Sequence, residues 1–398
     1  MKLLFIQHGS RIRESENGDF YVDGNFNNNI WKRYKSYCDD LSVILRKIPG
    51  KYKDEELKLK YNKIDTSLMN LITVDDVYSP KSNYINLKIR KKIKSVIERE
   101  VKNTDKIILR SAGDYYTDLA YKYAKKYKKV FLVEAIGFPF PSFWYHSLFG
   151  KIIAHPIDRK FKKTVKEAEY VLYVTEDALQ RKYPNFNNNI GCSDVEVTKS
   201  DNINEIIENK IKMIETTQKI TLGTAAFLNV KWKGQIDVLK ALRKLKKAGI
   251  NKFEYQLIGA GDAKKIKKYI KKFNLEENVK IIGALPHERV YEWLEKIDIY
   301  IQPSYQEGLC RAIVEAMSKG CAIVATDVGG NYEMVERKYL YSKGKVNQLV
   351  NILKKITIDE IEKCAIKNYE ISQRYNSDIL NEKRNKFYKD FTEKNEKC

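Results

Sequence analysis

What the chain has little of narrows its reading first. Its 398 residues include only four histidines (His8, His146, His155, His287), none paired at helical spacing, too few for a histidine-built metal centre. The six cysteines (38, 192, 310, 321, 364, 398) are dispersed with no Cys-x-x-Cys, as expected of free thiols in a reducing compartment. No Asp-x-Asp triplet occurs. No apolar run approaches the ~20 residues of a membrane span. The opening Met1-Lys-Leu-Leu-Phe-Ile6 is too short for a signal peptide and reads as the first strand of a cytosolic globular protein.

Positive charge, by contrast, is abundant. Lys and Arg number 74 against 52 Asp and Glu, a net +22 that invites a nucleic-acid reading. Lysine, asparagine, isoleucine and tyrosine are enriched together, as AT-rich coding produces, so much of the charge reads as bias on solvated faces. The basic clusters Arg90-Lys91-Lys92, Lys125-Lys126 with Lys128-Lys129, Arg159-Lys160 with Lys162-Lys163, and Lys264-Lys265 with Lys267-Lys268 sit on helical-looking segments. No nucleic-acid-binding signature accompanies them, so no nucleic-acid partner is expected. Three of the four lie in the N-terminal half, which suits a weak peripheral contact with anionic lipid headgroups.

Hydrophobic residues make up 43% of the chain, and its length fits two domains. Short apolar runs at Leu3–Gln7, Lys106–Arg110, Val130–Glu134 and Tyr170–Thr175, then at Lys219–Gly223, Phe253–Gly259, Val279–Gly283, Ile299–Pro303 and Cys321–Thr326, alternate with amphipathic helical stretches. Alternating strand and helix predicts α/β architecture with parallel sheets covered on both faces. Two doubly wound, Rossmann-like domains are expected, with ligands at the carboxyl ends of the strands. The boundaries read as a domain over 1–192, a polar and helical-looking linker over 193–218, a second domain over 219–375 and a terminal helix over 376–398. The segment from Asn17 to Asn29 reads as a mobile loop.

The most informative stretch is Glu307-Gly-Leu-Cys-Arg-Ala-Ile-Val-Glu315. Asp298-Ile-Tyr-Ile-Gln-Pro-Ser304 before it reads as a buried strand ending in a turn, and Gly320 with Cys321–Thr326 after it as a helix stop and another strand. The two acids therefore bracket the start of a helix. Unpaired N–H groups and the positive dipole end there suit a phosphate. Helical side chains lean toward the N-terminus, so Glu315 points back at whatever that end binds. A carboxylate repels phosphate, so its part is to accept hydrogen bonds from hydroxyls. Phosphate plus hydroxyls means a nucleotide, a sugar, or both.

Glu-Gly-Leu-x-Arg-Ala-x-x-Glu-Ala at 307–316, followed by Val328-Gly329-Gly330-x-x-Glu333-Met-Val335, resembles the nucleotide-sugar site of the family 4 retaining glycosyltransferases. The resemblance implies the GT-B fold: two Rossmann-like domains facing a cleft, with the C-terminal helix crossing back to the first. It also implies a metal-independent hexosyl transfer from a nucleotide diphosphate sugar to an acceptor hydroxyl in cell-surface polysaccharide synthesis. The absence of Asp-x-Asp counts against the other large glycosyltransferase architecture.

No cofactor is implied; the nucleotide sugar, UDP-linked ahead of GDP-linked, is the substrate, and the acceptor is a glycan or a lipid-linked hydroxyl. By the same resemblance Glu307 holds sugar hydroxyls, Lys233 of the Lys-Gly step meets the diphosphate, and Lys231 is a second cation. The chain carries Gly223-Thr-Ala-Ala-Phe-Leu-Asn229 where the commoner pattern has Gly-Arg. Gly308 and the backbone of Leu309, Cys310 and Arg311 contact phosphate or sugar, and Glu315 holds the ribose. Gly283 and Leu285 cradle the base, Gly18 forms a glycine loop near the diphosphate, and Glu333 caps or orients the loop after it. The histidine usual after the Val130–Glu134 strand is missing, which leaves Glu134 and Gly137 nearby. Two further readings stay open: a GT-B nucleotide-sugar epimerase, and a non-catalytic nucleotide-sugar-binding subunit.

Overall fold

The computed structural model describes residues 1–23 and 26–393, which fall into two compact units. The first is built on nine strands: β1 (Lys2–Ser15), β2 (Phe20–Val22), β3 (Asp40–Tyr52), β4 (Asn62–Lys63), β5 (Asn70–Asp75), β6 (Lys106–Arg110), β7 (Val130–Ala135), β8 (Tyr170–Tyr173) and β9 (Asn188–Gly191). Its parallel body runs β5-β3-β1-β6-β7-β8-β9. Leu3 to Ile6, Ile107 to Leu109 and Phe131 to Val133 are all buried, so the strands read as continuous apolar runs.

β1 does not end at Gln7, as expected. Its register against β3 shifts between Ile6 and Arg11, and it then continues to Ser15, pairing with β3 and antiparallel to β2. Arg11-Ile12-Arg13 alternates, with Ile12 fully buried, so the strand period persists past the glycine-containing break. Gly18 therefore lies at the exposed tip of a β-hairpin, where its N–H donates to the Ser15 carbonyl at 3.0 Å. It does not form a glycine loop directly behind the sheet; Gln7 to Ser10 hold that place. Of the expected loop from Asn17 to Asn29, Phe20–Val22 is strand, Asn27 caps the helix Asn28–Lys35 through its side chain, and 24–25 fall outside the described residues.

The second unit carries β10 (Ile220–Ala225), β11 (Phe253–Ile258), β12 (Val279–Gly283), β13 (Ile299–Gln302), β14 (Ala322–Thr326) and β15 (Leu340–Tyr341), in the order β12-β11-β10-β13-β14-β15, all parallel. The residues read as a linker belong to this unit. Within them the helix Ile203–Thr217 buries Ile203, Ile206, Ile207 and Ile214, and Ile203 and Ile207 pack with Ala365. Their helical spacing makes one apolar face, which a solvated linker would not need. Lys210, 6% exposed, ends on the carbonyls of Leu294 (3.1 Å), Lys319 (2.7 Å) and Gly320 (3.1 Å), so its charge is met by hydrogen bonds.

The helix Ser377–Glu393 starts in the second unit, and from Lys383 it belongs to the first. There Phe391 is fully buried and packs on Tyr170, and Tyr37 stacks on Tyr388 with ring centroids 4.9 Å apart. Lys106 Nζ donates to the Phe391 carbonyl at 2.6 Å. The short segment Thr175–Ala178 also changes sides and belongs to the second unit.

Candidate functional site

The ends of β10 and β13 meet through one glycine. After β10 the chain makes a 3-10 turn, Lys231–Lys233, and Gly234 then opens the helix Gln235–Lys247 at φ +74°. A Cβ there would lie 1.9 Å from the Pro303 carbonyl oxygen, so only glycine lets the turn press against the end of β13. That approach brings Lys233 Nζ to 2.8 Å from Glu307 Oε1, with the two side chains 24% and 13% exposed. Gln302 Nε2 donates to the same oxygen at 3.0 Å and to Ser304 Oγ at 2.7 Å, while the Tyr300 hydroxyl donates to Gln302 Oε1 at 3.0 Å. Burial opposes the Lys233 charge, but the Glu307 carboxylate more than offsets it and raises the pKa, so Lys233 is a fixed cation.

On the far side of Glu307 the chain is held by Gly329, at φ +58°, whose Cβ would stand 2.2 Å from the Glu307 carbonyl oxygen. Gly330 N–H donates to the Gly308 carbonyl at 2.7 Å. The helix Arg311–Ser318 follows with Cys310 at its N-cap and no side chain capping it. The N–H groups of Arg311 and Ala312 are thus left for a ligand or water, while the Ile313 N–H donates to the Cys310 carbonyl at 3.1 Å. The Cys310 thiol is pushed up by burial, so it stays protonated and is no nucleophile.

Glu315, one turn on, does lean back. Its Oε1 is 3.9 Å from both Arg311 Nη2 and His287 Nε2, and its side chain is 14% exposed. The carboxylate raises the His287 pKa above the ordinary histidine value, against a smaller opposing effect of burial.

The other expected site residues are placed less closely. Lys231 begins the same turn as Lys233 but is exposed, with no ion pair among the described residues, so it is not gathered to the acids. Gly283 ends β12, where its carbonyl accepts the Gly259 N–H at 2.8 Å, and half-buried Leu285 precedes the helix His287–Leu294. Glu333 binds a different loop from the one expected. Its carboxylate accepts the N–H groups of Glu176 (2.8 Å), Asp177 (3.2 Å) and Ala178 (2.7 Å), pinning the segment that changes units.

Glu134 cannot stand in for a donor-contacting histidine. It is 1% exposed, paired with Arg110 and hydrogen-bonded by the hydroxyls of Tyr34 and Tyr388. Burial pushes its pKa up, yet Arg110 and the two phenols together hold it below the glutamate range. It is a structural ion pair beneath the sheet's end. Beside it the first unit has a cavity of about 240 Å³, lined by Ser111, Asp114, Gly137, Ser142, Phe143 and Ile157 among others.

Two residues of this geometry escaped sequence reading: Gln302, visible only as a polar side chain closing an apolar strand, and His287, which shares no motif with Glu315. Among the described residues no three His, Cys, Asp or Glu side chains gather as metal ligands.

Two Rossmann-like parallel-sheet units joined by a returning terminal helix define the GT-B glycosyltransferase fold. Solved structures share it: HepE of Anabaena in complex with UDP aligns at TM-score 0.63 with 16% identity, covering 97% of this chain and 99% of that one. Sucrose-phosphate synthase of Thermosynechococcus elongatus aligns at TM-score 0.67 with 13% identity, covering 98% and 99%. The sequence signature of glycosyl transferases group 1 matches residues 205–373, and the chain belongs to that family. Along nearly its whole length it is 31% identical to protein CapJ of Staphylococcus aureus, over 97% of this chain and 94% of the relative. A shorter match, 32% over 140 residues, covers a third of the amylovoran biosynthesis glycosyltransferase AmsK of Erwinia amylovora (34%) and 33% of this chain.

Proposed function

We propose that this glycosyltransferase moves a hexose from a UDP-sugar to a hydroxyl of a growing cell-surface polysaccharide, with retention and without a metal. The Lys233–Glu307 contact of 2.8 Å carries the reading, because it puts a fixed cation and a hydroxyl-accepting carboxylate at one point beside an uncapped helix start. Departing diphosphate builds up negative charge, and a cation already in place stabilises it without reorganising. When donor enters, Lys233 turns part of its charge to the diphosphate, and Glu307 accepts hydroxyls of the sugar while Gln302 keeps it oriented. The N–H groups of Leu309, Cys310 and Arg311 meet phosphate or sugar, Glu315 accepts the ribose hydroxyls, and Gly283 and Leu285 face the base. The leaving phosphate oxygen takes the acceptor proton on the face it departs from, which preserves the anomer and needs no covalent nucleophile. The likeness to AmsK, named for amylovoran biosynthesis, supports the polysaccharide role, and the UDP complex of HepE supports the base.

The test is a thermal-shift series with UDP, GDP and ADP, followed by NMR of the product anomer. A ligand at a hundred times its Kd stabilises by about 2.7 kcal/mol, so a matched base stands out. An inverted product, or a GDP shift exceeding that of UDP, overturns the corresponding part of the reading. An isomerised donor released without acceptor makes the chain an epimerase, and donor binding without turnover makes it an accessory subunit.

A further inference from the structure

We infer that the first unit docks on an anionic lipid bilayer through the edge formed by residues 81–92 and 140–163. Among the described residues, thirteen large apolar side chains are exposed, and six of them lie here: Tyr84, Ile85, Leu87, Leu148, Phe149 and Ile152. Leu87 (77%), Leu148 (81%) and Ile152 (74%) are nearly as open as in an unfolded chain. The two segments adjoin, since the rings of Tyr84 and Phe149 meet edge to face at 6.5 Å. A clustered exposed apolar surface marks an interaction site.

The edge is built to hold this shape. Ser147 caps the helix Leu148–Glu167 by accepting the Gly150 N–H at 3.0 Å. A Cβ on Gly150 would lie 2.0 Å from the Phe143 carbonyl oxygen, so glycine lets this helix sit tight on the helix Pro139–Trp144. Leu148 and Phe149 thus project from a fixed first turn.

Charge selects the occupant. No acidic residue occurs from 77 to 97 or from 135 to 157, while Lys81, Lys88, Lys91 and Lys151 are exposed there. Further down the outward stripe of the Leu148–Glu167 helix, the apolar pair Leu148 and Ile152 gives way to Arg159, Lys162 and Lys166, about 10 Å on at the helical rise. Lys151 lies over the Trp144 ring at 5.5 Å and Arg90 over Tyr84 at 5.8 Å, the aromatic-and-cation pairing of an interfacial belt. Apolar tips between flanking cations suit acyl chains under anionic headgroups. A second copy would bring like charges together. No helix of the described residues is long and apolar enough to cross a membrane, so the contact is peripheral. The same two helices carry Ser142, Phe143 and Ile157 on the wall of the 240 Å³ cavity, so a bilayer held here lies beside it. The inference does not depend on the identity of the donor.

Flotation with vesicles of phosphatidylcholine alone, or mixed with phosphatidylglycerol, tests it. The wild type is expected to float with the mixed vesicles and not with phosphatidylcholine. Leu148→Ser with Ile152→Ser, or Lys81→Glu with Lys88→Glu, should weaken partitioning on the order of tenfold or more. Cooperative thermal unfolding near the wild-type midpoint shows that both variants fold. Three results would overturn the inference: wild type that stays off mixed vesicles, equal partitioning to both compositions, or apolar variants that float like wild type. Sedimentation equilibrium showing a dimer that Leu148→Ser with Ile152→Ser dissolves would assign the edge to a second copy instead.

Discussion

At the scale of the residue, the site is one short ion pair whose members serve different ends. Lys233→Ala removes the cation aimed at the leaving group, and Glu307→Gln removes the carboxylate charge and one of the two oxygens that accept sugar hydroxyls. Each should lower kcat by about 10²–10³-fold while thermal unfolding barely moves. Equal turnover of Lys233→Ala and wild type would refute the role of the cation.

His287 gives a pH signature. The Glu315 carboxylate raises its folded pKa above 6.5, so its contribution to stability is complete below that value and fades as pH rises through the folded pKa. His287→Asn should therefore melt below wild type in mild acid and together with it in alkali. A melting difference independent of pH would discard the pairing. Gly234→Ala probes the geometry itself. A Cβ 1.9 Å from the Pro303 carbonyl, at φ +74°, costs about 1–3 kcal/mol in backbone strain and must push the turn outward. Activity should then fall through the lengthened Lys233–Glu307 contact even at temperatures where the protein stays folded.

At the scale of the element, the uncapped helix Arg311–Ser318 is legible because everything that defines it is local: a glycine, two acids at fixed spacing and a buried strand on either side. The strands β6 and β12 match the apolar runs Lys106–Arg110 and Val279–Gly283 residue for residue. β3 does not read as a strand, since Arg46, Lys47, Pro49, Gly50 and Lys51 break its apolar pattern, yet Leu41, Val43, Ile44 and Leu45 supply a buried core. Its second half pairs with the extension of β1, a tertiary partner with no trace in the segment itself. His287 and Gln302 were hidden for the same reason. The helix Ile203–Thr217 shows how polar composition misleads, because a narrow apolar stripe suffices to dock it. Lys210→Met tests that docking: the carbonyls of Leu294, Lys319 and Gly320 lose their shared donor, and the second unit should weaken by about 1–3 kcal/mol in urea unfolding.

At the scale of the whole molecule, the returning helix is part of the first unit's interior. Tyr388 bonds the buried Glu134 that also holds Arg110 and Tyr34. Tyr388→Phe should cost about 1.5–3 kcal/mol, as expected for a lost hydrogen bond to a charged acceptor. Glu134→Ala should cost more, about 3–5 kcal/mol, because it strips a carboxylate from a buried guanidinium. Differential scanning of the two variants orders them, and a Glu134→Ala protein as stable as Tyr388→Phe would contradict the ion pair's part in the core.

The segment Thr175–Ala178, pinned by Glu333, and the crossing at Lys383 carry a consequence for biogenesis. A ribosome delivers β1 long before Phe387, Tyr388 and Phe391, which cover the first sheet. Residues 175–178 must wait through well over a hundred codons for Glu333. During synthesis the first unit is therefore an unfinished body with an open apolar face, and a chain stalled before residue 383 would be a client for chaperones rather than a stable fragment.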